Sequence, residues 1–148
     1  REKKLYLSVS ESCTGGLVQK MVTDLAGSSD VFLGGVVSYA NEIKMKVLKV
    51  KPETLSKYGA VSEECAREMV TGIRDLTDSD IAISTTGIAG PEGGTAEKPV
   101  GMVCFGFSVH NDIWSITHIF NGDREIIRQQ AAEFALLNLI KYLQGHKF

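Results

Sequence analysis

Several broad classes of function find no support in this sequence. Lys and Arg number 16 against 18 Asp and Glu, a net charge of -2, so the basic excess of a nucleic-acid surface is missing. No apolar run approaches the roughly 18 residues of a membrane span. Arg1-Glu2-Lys3-Lys4 leads directly into a short apolar stretch, which is not the pattern of a signal peptide. Cys13, Cys65 and Cys104 are odd in number and lack C-x-x-C spacing, which argues against a disulfide framework or zinc site and fits a reducing cytoplasm. His110, His118 and His146 are isolated, and no metal is expected. What is present is ordinary: 148 residues, 43% hydrophobic and 23% charged, enough for one domain over residues 1–148 with a core of its own.

The most informative stretch is Val9-Ser10-Glu11-Ser12-Cys13-Thr14-Gly15-Gly16. It follows the β-prone run Leu5-Tyr6-Leu7-Ser8-Val9 and precedes Leu17, Val18, Met21, Val22 and Leu25, which recur at helical spacing. The octet is therefore a strand-to-helix turn, where hydroxyls and backbone N–H groups face whatever sits above the sheet edge. Ser10, Ser12 and Cys13 are nucleophile candidates, Thr14 is the expected N-cap, and Gly15 and Gly16 let a ligand approach the backbone.

Along the chain the pattern predicts a helix from Gly15 to Ala26 closed by Gly27, then a strand from Val31 to Tyr39. Asn41 is expected to cap a short helix through Val47. Lys51-Pro52-Glu53 opens another, ending near Gly59, and Ser62 caps a longer helix carrying Cys65, Ala66, Met69, Val70, Ile73 and Leu76. A strand follows at Asp80–Ser84, then a glycine-rich loop from Thr86 to Thr95. A hairpin of Val100–Val109 and Ile113–Phe120 precedes a last helix from near Asp123 to Gln144. The expected fold is a three-layer α/β/α sandwich with a mixed sheet, parallel in the first half and an antiparallel hairpin in the second.

Four clusters bear on chemistry. A serine at a strand-to-helix turn gains fixed geometry and N–H donors for a developing oxyanion, although Glu11-Ser12-Cys13-Thr14-Gly15 is not G-x-S-x-G. A plain helix cap is the competing reading. Cys13 is the competing nucleophile, since a helix N-terminus lowers a thiol's pKa, but no histidine motif supplies its base. In Ser38-Tyr39-Ala40-Asn41-Glu42-Ile43-Lys44, a lysine in the first helical turn and partly buried is pushed toward the neutral amine, which can act as a base to serine. Tyr39 is placed to orient it or relay a proton. Gly87, Gly90, Gly93 and Gly94 with Thr85, Thr86 and Thr95 suggest a loop whose N–H groups face an anion, without the Gly-Lys-[Ser/Thr] ending of a P-loop. Arg124, where the last helix starts, can clamp a phosphate or carboxylate.

Together, Glu11-Ser12-Cys13-Thr14-Gly15-Gly16, Ala26-Gly27-Ser28-Ser29, Val37-Ser38-Tyr39-Ala40-Asn41-Glu42, Gly59-Ala60-Val61-Ser62, Thr86 to Gly94, Lys98-Pro99-Val100-Gly101 and Gly122-Asp123-Arg124 resemble the CinA C-terminal domain family (competence/damage-inducible protein A). Many of its members are nicotinamide mononucleotide deamidases. The resemblance implies hydrolysis of that nucleotide's carboxamide to nicotinate mononucleotide and ammonia, with Ser12 as nucleophile, Lys44 and Tyr39 as its partners, and no cofactor. Cys13, Thr14, Gly15, Gly16, Asn41, Thr86, Gly87, Gly90, Gly93, Gly94 and Arg124 are the expected substrate-binding residues. The partner is then a small pyridine nucleotide, and a homodimer is expected. Many members also carry a preceding helix or a whole N-terminal domain, so an excised domain is one expectation. The rival function is a non-catalytic nucleotide- or phosphate-binding regulatory domain; a Cys13-dependent amidase is the third.

Overall fold

The computed structural model describes residues 1–145. Five strands lie in the order β2-β1-β3-β4-β5. The element order is β1 (Leu7–Glu11), α1 (Leu17–Thr23), a 3-10 turn (Ser28–Asp30), β2 (Phe32–Val37), α2 (Asn41–Leu48), α3 (Pro52–Tyr58), α4 (Glu63–Thr77), β3 (Ile81–Gly87), β4 (Met102–Val109), β5 (Asp112–Ile119) and α5 (Arg124–Leu143). β1 pairs in parallel with both β2 and β3, and β4 and β5 add antiparallel. The expected mixed sheet is the one observed.

The period-2 alternation of β1 and β3 sorts the layers. Leu7, Val9, Ile81 and Ile83 join Val18, Val22, Ile127, Ala131 and Ala135 in the larger core, under α1 and α5. The intervening Ser8, Ser10, Ala82 and Ser84 are small and completely buried beneath α4. Ser84 Oγ donates to the Ala66 carbonyl at 2.6 Å and Ser10 Oγ to that of Met69 at 3.4 Å. Small residues are required there: a Cβ on Gly106 would come within 2.4 Å of the Ala66 carbonyl oxygen. α4 thus sits close to the sheet, and Leu48, Val50, Met69, Val70 and Ile73 form a second core between it and α2.

Some boundaries differ from those expected. α1 starts at Leu17 with Gly16 at its N-cap, so Thr14 does not cap it; it ends at Thr23, short of the expected Ala26, and the 3-10 turn follows after Gly27. Asn41 is the first helical residue after an N-cap at Ala40, and its side chain makes no cap. Ser62 and Asp123 do cap α4 and α5, accepting from the Cys65 and Ile126 amides. β3 continues through Thr85, Thr86 and Gly87, which are therefore paired sheet residues and not part of the loop. The polarity of Ser84-Thr85-Thr86 hid this, because their hydroxyls find partners inside the protein.

Chain direction fixes where neighbouring strands part. From β1 the chain crosses through α1 to β2 on one side; from β3 it turns the other way, to β4. Crevices of α/β sheets open where neighbouring strands part in this manner, at their carboxyl ends. Here those ends are the turn after Glu11 and the loop after Gly87.

Candidate active site

Continuing the alternation past β1 separates the residues of the turn. Glu11 and Cys13 lie on the α1 side with Leu7 and Val9, whereas Ser12 follows Ser8 and Ser10 toward the α2 and α4 side. Glu11, completely buried, accepts at Oε1 from Thr14 Oγ1 (2.6 Å) and the Val18 amide (2.9 Å), and at Oε2 from the Gln19 amide (3.1 Å) and Gln19 Nε2 (2.9 Å). The carboxylate does what a capping side chain does for helix N-terminal donors, from outside the helix. Thr14 Oγ1 also meets Thr85 Oγ1 at 2.7 Å, and the Ser12 amide donates to the Thr85 carbonyl at 2.9 Å. The turn is tied both to its own helix and to β3.

Lys44 reaches Ser12 from the other layer. It is 1% exposed, and its Nζ donates to Ser12 Oγ at 3.0 Å, the Ser38 carbonyl at 2.8 Å and the Tyr39 carbonyl at 3.1 Å. Burial holds its pKa below the ordinary lysine value. Cys13, 6% exposed within the larger core, has its thiol pushed up to about 12 by burial. A thiol so placed stays protonated at neutral pH, and the expectation that the helix terminus lowers it is overturned. The helix end's charge is already answered by Glu11, and desolvation outweighs what is left.

The Tyr39 phenol does not meet Lys44. The residue is 60% exposed, and its hydroxyl accepts from Arg124 Nη2 at 3.2 Å. Its backbone carbonyl, not its ring, holds the lysine. Arg124 Nη1 donates to the Gly90 carbonyl at 2.7 Å, so Arg124 joins the β2–α2 connection to the glycine loop. Asn41 is exposed at the start of α2. Thr86 is buried and donates to the Ala60 carbonyl at 2.8 Å. Gly87 and Gly94 are explained by packing, since a Cβ would meet the Met102 carbonyl oxygen at 2.7 Å or the Val100 amide at 2.8 Å; at Gly93, with φ +90°, a Cβ would make only an ordinary contact with Ile88 Cγ2 at 3.7 Å.

Two residues of the site are given no role by the motifs: Glu11 and Arg128. Glu11 stands within the Glu11–Gly16 motif, and its place as a carboxylate on the apolar side of a buried strand is the signal for its role. Arg128 lies one helical turn beyond Arg124, donating from Nε to the Cys13 carbonyl at 3.0 Å and from Nη2 to that of Thr14 at 3.1 Å. Of the turn's amides, Gly15 donates to the Ser12 carbonyl and Leu17 to that of Thr14, while Val18 and Gln19 go to Glu11. The Thr14 and Gly16 amides have no protein acceptor among the described residues. Two of the histidines stay apart from the site: His110 turns the β4–β5 hairpin, and His118 packs on Phe120 and Phe134; His146 lies outside the described residues. Among the described residues no three His, Cys, Asp or Glu side chains converge as metal ligands, and no helix is long and apolar enough to cross a membrane.

Comparison with known proteins adds the relationship. Residues 1–143 match the family model of the CinA C-terminal domain. A CinA-like protein of Fusobacterium nucleatum is 54% identical over 142 residues, covering 96% of this chain and 34% of the relative. One from Thermotoga maritima is 49% identical over 147 residues, covering 99% and 36% respectively. The chain thus spans about a third of the length of these relatives. Among solved structures, the competence damage-inducible protein A of Klebsiella pneumoniae superimposes with a TM-score of 0.94 at 36% identity, covering 99% of this chain and 91% of that one. The competence/damage inducible protein CihA of Agrobacterium tumefaciens gives 0.89 at 39% identity, over 94% and 86% of the two chains.

Proposed function

This chain belongs to the CinA C-terminal domain family, and from that premise we propose that it is a serine amidohydrolase that deamidates nicotinamide mononucleotide. The observation that carries the proposal is the buried Lys44 Nζ, 3.0 Å from Ser12 Oγ, with two backbone carbonyls as its other partners. A neutral amine has two N–H groups and one lone pair. With both N–H groups on the Ser38 and Tyr39 carbonyls, the lone pair is left for the Ser12 hydroxyl proton, and the sense of that hydrogen bond reverses. This is the arrangement a general base needs.

Ser12 Oγ then adds to the carboxamide carbon as its proton passes to Lys44. The oxyanion is met by the free amides of the turn, and collapse breaks the C–N bond while Lys44 returns the proton to the departing nitrogen as ammonia. Water, deprotonated by Lys44, attacks the remaining ester and releases nicotinate mononucleotide and free Ser12. The sum consumes one water and yields one ammonia. Arg124 is the cation we assign to the substrate phosphate, as its guanidinium lies beside Tyr39 and the glycine loop with hydrogens to spare.

The rival reading keeps the same loops for nucleotide binding without chemistry. Burying an amine beside a serine hydroxyl is costly and contributes nothing to binding an exposed nucleotide, which favours catalysis. Ammonia release from nicotinamide mononucleotide is the test, run with EDTA present and with Lys44→Ala alongside. Turnover that survives EDTA and disappears in the variant is expected. Binding of the nucleotide by the folded protein without ammonia release would establish the rival.

A further inference from the structure

Arg128 has no part in the steps above, yet both of its hydrogen bonds go to the nucleophile turn. Its Nε and Nη2 reach the carbonyls of Cys13 and Thr14, two successive peptide units, at 3.0 and 3.1 Å. A planar guanidinium that grips adjacent carbonyls fixes the rotation of both peptides, which a single ammonium does not. Planarity then gives the contact a direction. In a trans peptide the N–H points opposite to the C=O, so drawing the Cys13 carbonyl toward α5 turns the Thr14 amide away from α5. Away from α5 is the side from which Lys44 reaches Ser12.

Three further observations agree. The Thr14 amide has no protein acceptor among the described residues, so it is available. None of the ion pairs among the described residues includes Arg128, which leaves its charge directed at the turn. Gly15, with φ +58°, leaves room for the fork: a Cβ there would lie 2.9 Å from Arg128 Nη2. A carbonyl hydrogen-bonded to a cation also makes the N–H of the same peptide a stronger donor.

We propose that Arg128 is a positioning residue that holds the Cys13–Thr14 peptide so that its amide donates to the oxyanion formed at Ser12. The inference rests on Ser12 being the nucleophile, and its test has one readout that needs no amide substrate. Arg128→Lys and Arg128→Gln are compared with wild type in ammonia release, in labelling of Ser12 by a fluorophosphonate, whose phosphoryl oxygen takes the oxyanion position, and in thermal melting.

Expected for Arg128→Gln is a roughly 10- to 100-fold fall in kcat with KM within about twofold, below the roughly 100- to 1000-fold of losing an oxyanion donor outright because the donor is misaligned and not deleted. Labelling slows in parallel, the melting temperature stays within a few degrees, and Arg128→Lys recovers only a minor part. Added methylguanidinium is expected to raise the rate of Arg128→Ala but not of Lys44→Ala. Labelling and kcat within threefold of wild type would overturn the inference, as would a loss confined to KM or failure of both Arg128→Lys and Arg128→Gln to fold. Wild-type protein that labels at Ser12 but releases no ammonia would remove the substrate assignment while the labelling comparison still decides Arg128. Wild-type protein that does neither would remove both.

Discussion

The two loops that close over the sheet's carboxyl edge are built on opposite plans. In the turn after β1, Glu11 through Thr14 are buried, and its polar groups are held by Thr85, Gln19, Arg128 and Lys44. In the loop after β3, Pro91 through Glu97 are exposed, and the anchors lie at the base: Gly101 amide to Ile88 carbonyl at 2.8 Å, and Arg124 to the Gly90 carbonyl at 2.7 Å. Bond-making chemistry tolerates little positional error, so a nucleophile is worth over-determining. A segment that wraps a ligand benefits from a firm root and a free tip. The contrast fits the proposed function, in which the first loop carries the reaction and the second the recognition.

The contrast is broken most severely at Ser12. Ser12→Ala is expected to lower kcat by at least about a thousandfold while circular dichroism and melting stay near wild type, because only a hydroxyl in an already formed turn is removed. Wild-type-like turnover by a pure sample would end the nucleophile assignment. Next is Glu11→Ala, which strands the Val18 and Gln19 amides in the interior. Urea denaturation is expected to show a loss of about 3 kcal/mol, several times that of a typical surface substitution. If the midpoint barely moves, the turn is held by β3 and Arg128 alone.

Lys44 supplies a pH test of intermediate size. Its pKa in the folded protein is lowered from 10.5 by burial, and the proposed mechanism uses the neutral amine. Activity should climb about tenfold per pH unit below that lowered pKa and level off above it. Stability follows the same sign. The unfolded chain holds the proton to higher pH, so Lys44 costs stability below its folded-state pKa, and this cost fades as pH rises toward 10.5. A pH–rate profile flat on its acid side would argue against the amine as base. The smallest effects belong to the second loop. Gly90→Ala meets φ +76° and Val100 Cγ1 at 2.4 Å, and about 2 kcal/mol of lost stability is expected; Gly93→Ala, with Ile88 no nearer than 3.7 Å, should cost about 1 kcal/mol. Equal costs would mean that the tip is as constrained as the base.

Much of this contrast is visible in one dimension. The glycine count marks the second loop, and hydroxyls before a helical period mark the first. What is not visible is which polar groups the interior consumes. Thr85 and Thr86 read as loop hydroxyls, yet both are buried in β3 and bonded to Thr14 and the Ala60 carbonyl. Thr14 reads as a cap, yet a carboxylate three residues earlier takes the helix amides. Tyr39 reads as a side-chain partner of Lys44, yet it is the carbonyl that reaches the amine. In each case a local rule was outbid by a partner that only a folded chain supplies.

The sequence by itself determined the layer order and the identity of the strand-to-helix turn, because hydrophobic periodicity and turn chemistry are local properties that survive without a partner. It also placed a serine and a lysine at the starts of two successive connections. Only the tertiary structure decided that Ser12 and not Cys13 faces that lysine, 32 residues away. The pleat sends neighbouring side chains to opposite faces of the sheet, and which face receives α2 depends on how the chain crosses over. Cys13 was turned into the core under α5, and Ser12 toward the buried amine.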